Sequence, residues 1–492
     1  MKKIAMFLLS LSLVLTGCVG KEPVAEGVAI CLSDGQITVD GAAISNDPTQ
    51  AVYTARDIVY YESGRDFTYG EGTEDDAHSR EEAEAHTVVH ITKPGHYILS
   101  GQLSNGQIGV DLGEEAEDDP DAVVTLVLNG ADITCTVAPA IIFYNVYECS
   151  DKDASTPTVD TSHAGANVEI VDGTVNTITG AYVAKIYKPE SVQLNKDGTE
   201  VEDAKKLHKY DAAFYSKMSM NVDGDSGVLN IQAANEGLDS ELHLTINGGN
   251  INICSGNDGI NTNEDGASVT TINGGRLTIR VDGATGEGDG IDSNGYLVIN
   301  GGTVIAQACS FSPDAGIDSD MGIQLNGGTV IAAGNMLDHI AQSRQNFVVF
   351  QFAESNQAEE VVLKDAAGQI VVQEKLENEF SYLVISAPSL KEGEYSLWLD
   401  GVQMQVTSGQ QMGGFGGGMG MEGIEPPEGM ERPEGMTPPE GMQMPGDKPP
   451  SEGMEMPRKP DGMEKPDFER PAGETNDVFT ITAGANYFQI IH

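Results

Sequence analysis

Thr245-Ile246-Asn247-Gly248-Gly249, Thr271-Ile272-Asn273-Gly274-Gly275, Val298-Ile299-Asn300-Gly301-Gly302 and Gln324-Leu325-Asn326-Gly327-Gly328 are four copies of one pattern, with their asparagines 26, 27 and 26 positions apart. Ahead of each Asn stands Ile246, Ile272, Ile299 or Leu325. Four positions after it stands Ile251, Leu277, Val304 or Val330, and two further on Ile253, Ile279, Ala306 or Ala332. Apolar residues therefore alternate on both sides of a tight turn, which reads as strand, turn, strand. A hairpin would explain any single copy, because Asn-Gly between alternating strands is a hairpin signal. It gives no reason for the same columns to return at a fixed interval. A coil of this length, stacked on the next at ~4.8 Å, places each apolar column on itself. The expected fold is all-β, a parallel β-helix over residues 87–343.

Weaker copies precede these four, at Leu128-Asn129-Gly130, Val171-Asp172-Gly173 and Val222-Asp223-Gly224, with insertions at about 145–165 and 186–210. Residues 344–408 lose the repeat but keep strand patterns such as Phe347-Val348-Val349-Phe350 and Tyr395-Ser396-Leu397-Trp398, so a small β module is expected to close the open end. Residues 409–473 are rich in Gly, Met and Pro and poor in strand formers, which predicts disorder. Strand character returns over 474–492, making the low-complexity stretch a loop inserted before the module's last strand.

The N-terminal residues point to export. Lys2 and Lys3, an apolar run from Ile4 to Leu15, and Leu15-Thr16-Gly17-Cys18 read as a lipoprotein signal peptide over 1–18, with lipid attached at Cys18. An extracellular protein held to the cell membrane by that anchor is expected. Residues 19–86, with an acidic run from Glu71 to Glu84, read as a polar tether or variable N-terminal segment. Five cysteines follow Cys18, an odd number that implies no disulfide framework. Cys254 and Cys309 fall two coils apart, roughly 9–10 Å at ~4.8 Å per strand, beyond disulfide reach. Both should be free thiols. A monomer is expected.

The net charge of −49 over 492 residues excludes nucleic acid and anionic membrane surfaces as partners and favours cations. The charge is also patterned. Glu236-Gly237-Leu238-Asp239, Asp258-Gly259-Ile260-Asn261, Asp289-Gly290-Ile291-Asp292 and Ala315-Gly316-Ile317-Asp318 repeat out of phase with the Asn-Gly-Gly turns. In stacked coils Asp239, Asn261, Asp292 and Asp318 form one column, and Glu236, Asp258 and Asp289 its neighbour. Carboxylates one strand apart repel by roughly 1 kcal/mol even in water, and more where partly buried. Either they hold protons or a hard cation lies between coils. Asp, Asn and turn carbonyls suit calcium, so Asp239, Asp258, Asn261, Asp289, Asp292 and Asp318 are the candidate ligands, with Asp265, Asn294, Asp314 and Asp320 nearby. The plain alternative is a solvated ladder in which Asp caps backbone amides.

Sugar sites usually rest on aromatic platforms, and the single tryptophan, Trp398, lies outside the repeats. Polar and ionic contacts remain, and an acidic polymer could approach such a surface through shared calcium. Catalysis is the rival reading, and a structural surface protein with no sugar ligand is the third. A lyase needs calcium and a base, and between Met218 and Ser343 the basic residues besides His243 and His339 are Arg276 and Arg280, four apart on one strand face. No HExxH motif, phosphate loop or GxSxG elbow is present.

Thr92-Lys93-Pro94-Gly95-His96-Tyr97-Ile98-Leu99-Ser100-Gly101, Gly106-Gln107-Ile108-Gly109-Val110-Asp111, Leu126-Val127-Leu128-Asn129-Gly130-Ala131-Asp132-Ile133 and Asp211-Ala212-Ala213-Phe214-Tyr215-Ser216-Lys217, with the later Asp-Gly-Ile-Asp and Asn-Gly-Gly coils, resemble the bacterial carbohydrate-binding domain-containing lipoproteins over about residues 87–400. That resemblance implies a right-handed parallel β-helix, calcium along the coils, and non-catalytic binding of cellulose and acidic sugars such as polygalacturonate. The insertions and the Met-Pro segment depart from the family pattern.

Overall fold

A computed structural model describes residues 27–150, 156–409 and 476–491. Cys18, the 1–18 leader and nearly all of the 409–473 stretch lie outside the described residues.

The Asn-Gly-Gly turns are corners of stacked coils. His243–Ile246, Val269–Ile272, Tyr296–Ile299 and Gly322–Leu325, the strands before the turns, pair in parallel with one another: Ile246 with Ile272, Ile272 with Ile299, Ile299 with Leu325. The strands after the turns, Asn250–Ser255, Arg276–Val281, Thr303–Gln307 and Thr329–Gly334, form a second parallel ladder. Neither member of a copy pairs with the other, so the repeats are not hairpins. A third ladder joins Ala212–Ser216, Glu236–Ser240, Ile260–Thr262 and Ile291–Ser293, again in parallel. Each of these coils thus has three sides. Ile246, Ile272, Ile299 and Leu325, with Ile251, Leu277, Val304 and Val330, are buried inside, each contributing about 1.5–3 kcal/mol of apolar burial. At the corners, Asn273 Nδ2 donates to Asn247 Oδ1, Asn300 to Asn273 and Asn326 to Asn300, all at 2.9 Å.

Earlier coils differ from the expected alignment. Asn247 lies in register with Asp223, and Asp223 with Glu169 rather than Asp172. Asp172 sits three residues further on, because the turn after Ile170 is longer. The 19–86 segment is no tether from residue 27 onward. Val28–Leu32 pairs in parallel with Gly95–Leu103, and Val52–Ala55 pairs antiparallel with Thr87–Ile91. Within the acidic run, Arg80–Glu84 is a short helix closed by a Ser79/Glu82 capping box. Ile30, Leu32, Val52, Ile58, Tyr61 and Ala83 are buried; they are spaced too irregularly to show as a period.

At the other end, Phe380–Ser386 pairs antiparallel with Thr329–Gly334 and with Phe347–Asn356, covering the last coil's edge. Ala485–Ile490 lies beside Phe347–Asn356 in parallel and against Val406–Ser408 antiparallel. A separate sheet contains Glu360–Asp365, Ile370–Lys375, Gly393–Leu399, Val402–Gln403 and Phe479–Ile481. The insertion before Asp211 forms an antiparallel pair, Val183–Tyr187 with Lys206–Tyr210.

Candidate functional site

The third ladder carries the acids, and its glycines explain how. A side chain on Gly237 or Gly259 would overlap Ile253 or Ile279 in the core, and one on Gly290 would come within 2.9 Å of the Ala306 methyl. The residues after them, Leu238, Ile260 and Ile291, are also buried in the core. Two consecutive inward positions leave the first and fourth residues of each acid-Gly-Ile-Asp unit together on the other side.

Register confirms the column geometry. Asp239 pairs with Asn261 and Asn261 with Asp292, and the Asp318 amide donates to the Ile291 carbonyl at 2.7 Å, which continues the column. Beside it, the amide of Gly237 donates to the Asp258 carbonyl and that of Gly259 to the Asp289 carbonyl, both at 3.0 Å. Glu236, Asp258 and Asp289 therefore stack as neighbours.

At the inner end, Glu236 and Asp239 meet Asp211, and carboxylate oxygens of all three lie within 4.8 Å of one another. The three are 6%, 0% and 8% exposed respectively. Lys209 reaches Asp211 Oδ2 at 2.6 Å, and Asn263 Nδ2 donates to Asp239 Oδ1 and Oδ2 at 2.9 and 3.0 Å. Asn261 Nδ2 donates to Glu236 Oε1 at 3.2 Å. Glu236 Oε2 and Asn261 Oδ1 are buried and receive no hydrogen bond. Burial, and then the neighbouring carboxylates, push the pKa values of Glu236 and Asp239 well above the ordinary range. Burial opposes the charge on Lys209, but Asp211 outweighs it and keeps the ammonium protonated. Next to this cluster, Tyr210 packs edge-on between Tyr144 and Tyr215, with ring centroids 5.6 and 5.3 Å away. Tyr215 donates to Glu241, which also accepts from Lys206 at 3.0 Å.

Further along the column, Asp258, Asp289, Asp292 and Asp318 are partly exposed. Burial, and then mutual repulsion, raises Asp258 and Asp292 to about 7 and Asp318 to about 8, and Asp289 well above its usual value. The charges acting most strongly on these four are all carboxylates, Asp314, Asp320 and Asp338 among them. Part of each acid caps backbone, as the plain alternative requires: Asp258 Oδ1 accepts from the Asp289 amide at 2.6 Å and Asp289 Oδ1 from the Ala315 amide at 2.5 Å. Caps do not account for the orphaned Glu236 and Asn261 oxygens. An oxygen-rich, buried, underpartnered set of this kind fits a hard divalent cation.

The structure brings together all six sequence-derived candidates along one ladder. It adds Asp211 and Asp338, and makes a site residue of Glu236, which the sequence places in the neighbouring column. Asp211 lies before a strand whose Ala-Ala-Phe-Tyr lacks the acid-Gly-Ile-Asp spacing, so the repeat gave no signal for it. Asp338 follows the last repeat; its Oδ2 accepts from the Ser319 amide at 3.0 Å. Arg276 and Arg280 sit on the ladder after the turns, not on the acidic one. His243 is buried between Ser150 Oγ and the Val269 amide, both at 3.1 Å, and burial lowers its pKa to about 4. Cys254 and Cys309 are free thiols.

Residues 85–360 of the chain are matched by the family model for carbohydrate-binding domain-containing proteins. The chain belongs to that family. A carbohydrate-binding domain-containing protein of Acetivibrio thermocellus is 30% identical over 165 residues, which span 34% of this chain and 44% of that relative, under half its length. A solved structure described as that of a polysaccharide lyase-like protein from C. thermocellum, in a gadolinium derivative, aligns with a TM-score of 0.35 and 21% identity, over 64% of this chain and 99% of that one.

Proposed function

We propose that the chain is a right-handed parallel β-helix that binds polysaccharide without cleaving it, using calcium held by Asp211, Glu236 and Asp239 and along Asp258, Asn261, Asp289, Asp292 and Asp318. The observation that carries this reading is the trio of buried carboxylates within 4.8 Å of one another, served by one lysine and leaving Glu236 Oε2 unpartnered. Taking such charges out of water costs several kcal/mol per ion unless they are paired. A calcium ion would balance them, and at the partly exposed aspartates it would keep coordination positions open for ligand oxygens. Uronate carboxylates suit those positions, so an acidic polymer such as polygalacturonate is the preferred ligand, with cellulose a further one. The right hand follows from the rule that about 98% of parallel crossovers within a sheet have it. The expected setting is the outer cell surface, on a lipid attached at Cys18, as a monomer.

The rival lyase reading needs a base beside the cation. Lys209 is kept protonated by Asp211, while Arg276 and Arg280 lie on another ladder and are engaged with Glu374 and Glu377. Pull-down on insoluble polysaccharide with calcium and with chelator tests the binding reading, which expects more retention in calcium than in chelator, the calcium-dependent part being lost in Asp239→Asn. Incubation with polygalacturonate and calcium at alkaline pH should give no unsaturated product. Turnover that disappears in Arg280→Ala would overturn the non-catalytic reading.

A further inference from the structure

The ladder after the turns has an outer face of its own, and it differs from the acidic one. Asn230, Asn252, Thr278 and Ile305 fall in one register row, and Gln232, Cys254, Arg280 and Gln307 in the next. Asn252 Nδ2 donates to Asn230 Oδ1 at 2.9 Å. Toward the C-terminal end this face is walled by the module, leaving a cleft of ≈ 370 Å³ lined by residues including Asn252, Arg276, Arg280, Glu374, Lys375 and Glu377. Three cationic and two anionic side chains give the cleft a local charge of +1 (3 − 2), on a chain whose net charge is −49.

The two arginines are held differently. Arg276 forms a two-pronged pair with Glu374, at 3.1 and 2.8 Å. Arg280 Nε lies 3.3 Å from Glu377, whose side chain is 74% exposed, and its Nη2 donates to Cys254 Sγ at 3.1 Å. The Glu377 backbone is fixed, because its amide donates to Gln307 Oε1 at 2.6 Å and the next residue, Asn378, donates to the carbonyls of Val281 and Ala308 at 2.6 and 2.7 Å. The loop is therefore rigid while the carboxylate is free to leave. An exposed ion pair of this type contributes little to stability. A guanidinium so placed exchanges one carboxylate for another at small cost, and planar two-pronged recognition of carboxylate is what arginine does best.

We propose that this cleft is a second carbohydrate site, independent of calcium, in which the carboxylate of a uronate unit replaces Glu377 on Arg280 while Asn252, Thr278 and Gln232 hydrogen-bond to hydroxyls of neighbouring units. Within a row the side chains recur every ~4.8 Å along the stack, a step close to the length of one sugar residue, so an oligomer lying along the coil axis meets Asn230, Asn252 and Thr278 at successive steps before the row ends at the buried Ile305. The proposal rests on the carbohydrate-binding reading but uses none of the calcium ligands.

The test is calorimetric titration of the chain with oligogalacturonate and, separately, with a neutral cello-oligosaccharide, in excess EGTA and in calcium. The parent should bind oligogalacturonate in EGTA. Arg280→Gln should weaken that binding about tenfold to a hundredfold, as for loss of a charged hydrogen-bonded contact. Glu377→Gln, which removes the competing carboxylate, should strengthen it, an effect that damage to folding does not produce; circular dichroism and melting temperature check both variants. No oligogalacturonate binding in EGTA, or binding indifferent to both substitutions, would overturn the proposal. Binding seen only in calcium and lost in Asp239→Asn would overturn this second site and leave the calcium reading standing. Binding in EGTA that Asp239→Asn and calcium leave unchanged would do the reverse. Stronger binding of the neutral oligosaccharide than of the uronate would also count against it.

Discussion

Replacing Asp292 and Asp318 together with asparagine should make the cation-free protein more stable at pH 8, not less. Burial, and then repulsion, raises these carboxyls from an ordinary value of 3.8 to about 7 and about 8. The unfolded chain gives up the two protons near pH 4, whereas the fold keeps them until pH 7–8. Stability of the cation-free fold therefore falls as pH rises from about 4 to about 8 and stays low above that. For Asp292 the shift of about 3 pH units, at ~1.36 kcal/mol each, sets a ceiling of about 4 kcal/mol. Partial exposure and coupling between neighbours reduce it, leaving roughly 2–4 kcal/mol for the pair. Asparagine is nearly the same shape and removes that cost. Calcium should change the order: a bound ion would stabilise the parent by about 2.7 kcal/mol at a hundredfold excess over Kd, and the variant by less. Differential scanning calorimetry at pH 5 and pH 8, in EGTA and in calcium, reads all four states. In EGTA the variant should melt a few degrees above the parent at pH 8, by a margin that shrinks at pH 5; in calcium its gain should shrink. A variant that melts below the parent in EGTA at pH 8 would refute the crowding argument, and a parent indifferent to calcium would remove its premise.

Asn273→Ala deletes the middle of the asparagine ladder, both its donor to Asn247 and its acceptor for Asn300. Chemical denaturation should show a loss of about 1–2 kcal/mol, with the calcium increment intact. Ile279→Ala, in the core beneath Gly259, should cost about 2–5 kcal/mol by the same measurement. Thiol labelling should find Cys135 and Cys309, both buried, unreactive in the folded protein and reactive in denaturant, and a peptide map that bridges Cys254 to Cys309 would contradict the coil register. Terbium should displace calcium and luminesce when tyrosine is excited, given Tyr215 bonded to Glu241 beside Asp239; Asp239→Asn should quench that signal.

The later coils were legible because nothing interrupts them. Asn247 to Asn326 repeat at near-constant spacing, and the apolar columns on either side fix the register without other information. Asp239, Asn261, Asp292 and Asp318 were legible for the same reason, since a column in a parallel stack is a statement about spacing alone. The early coils were not. The longer turn at Asp172 moves a motif three residues out of register while the strands remain paired, and motif matching follows the motif. Ile30, Val52 and Tyr61 support the first coil from a segment that reads as polar, because a few buried residues suffice where the rest of the core comes from Thr87 onward. Asp211 escaped notice because the insertion that ends at Tyr210 delivers it to the site, and such a contact leaves no trace in a repeat. The glycines of the acid-Gly-Ile-Asp units were visible, but their role emerges only against Ile253 and Ile279.

If stacked coils force buried carboxylates together until a cation must hold them, direct titration will show it. Calcium added to chelator-stripped protein at pH 7.5 in a calorimeter should show saturable binding, lost or greatly weakened when Glu236→Gln and Asp239→Asn are combined, in a variant that melts no lower than the parent in EGTA. Heats indistinguishable from dilution in the parent, or full calcium binding retained by that double variant, would contradict it.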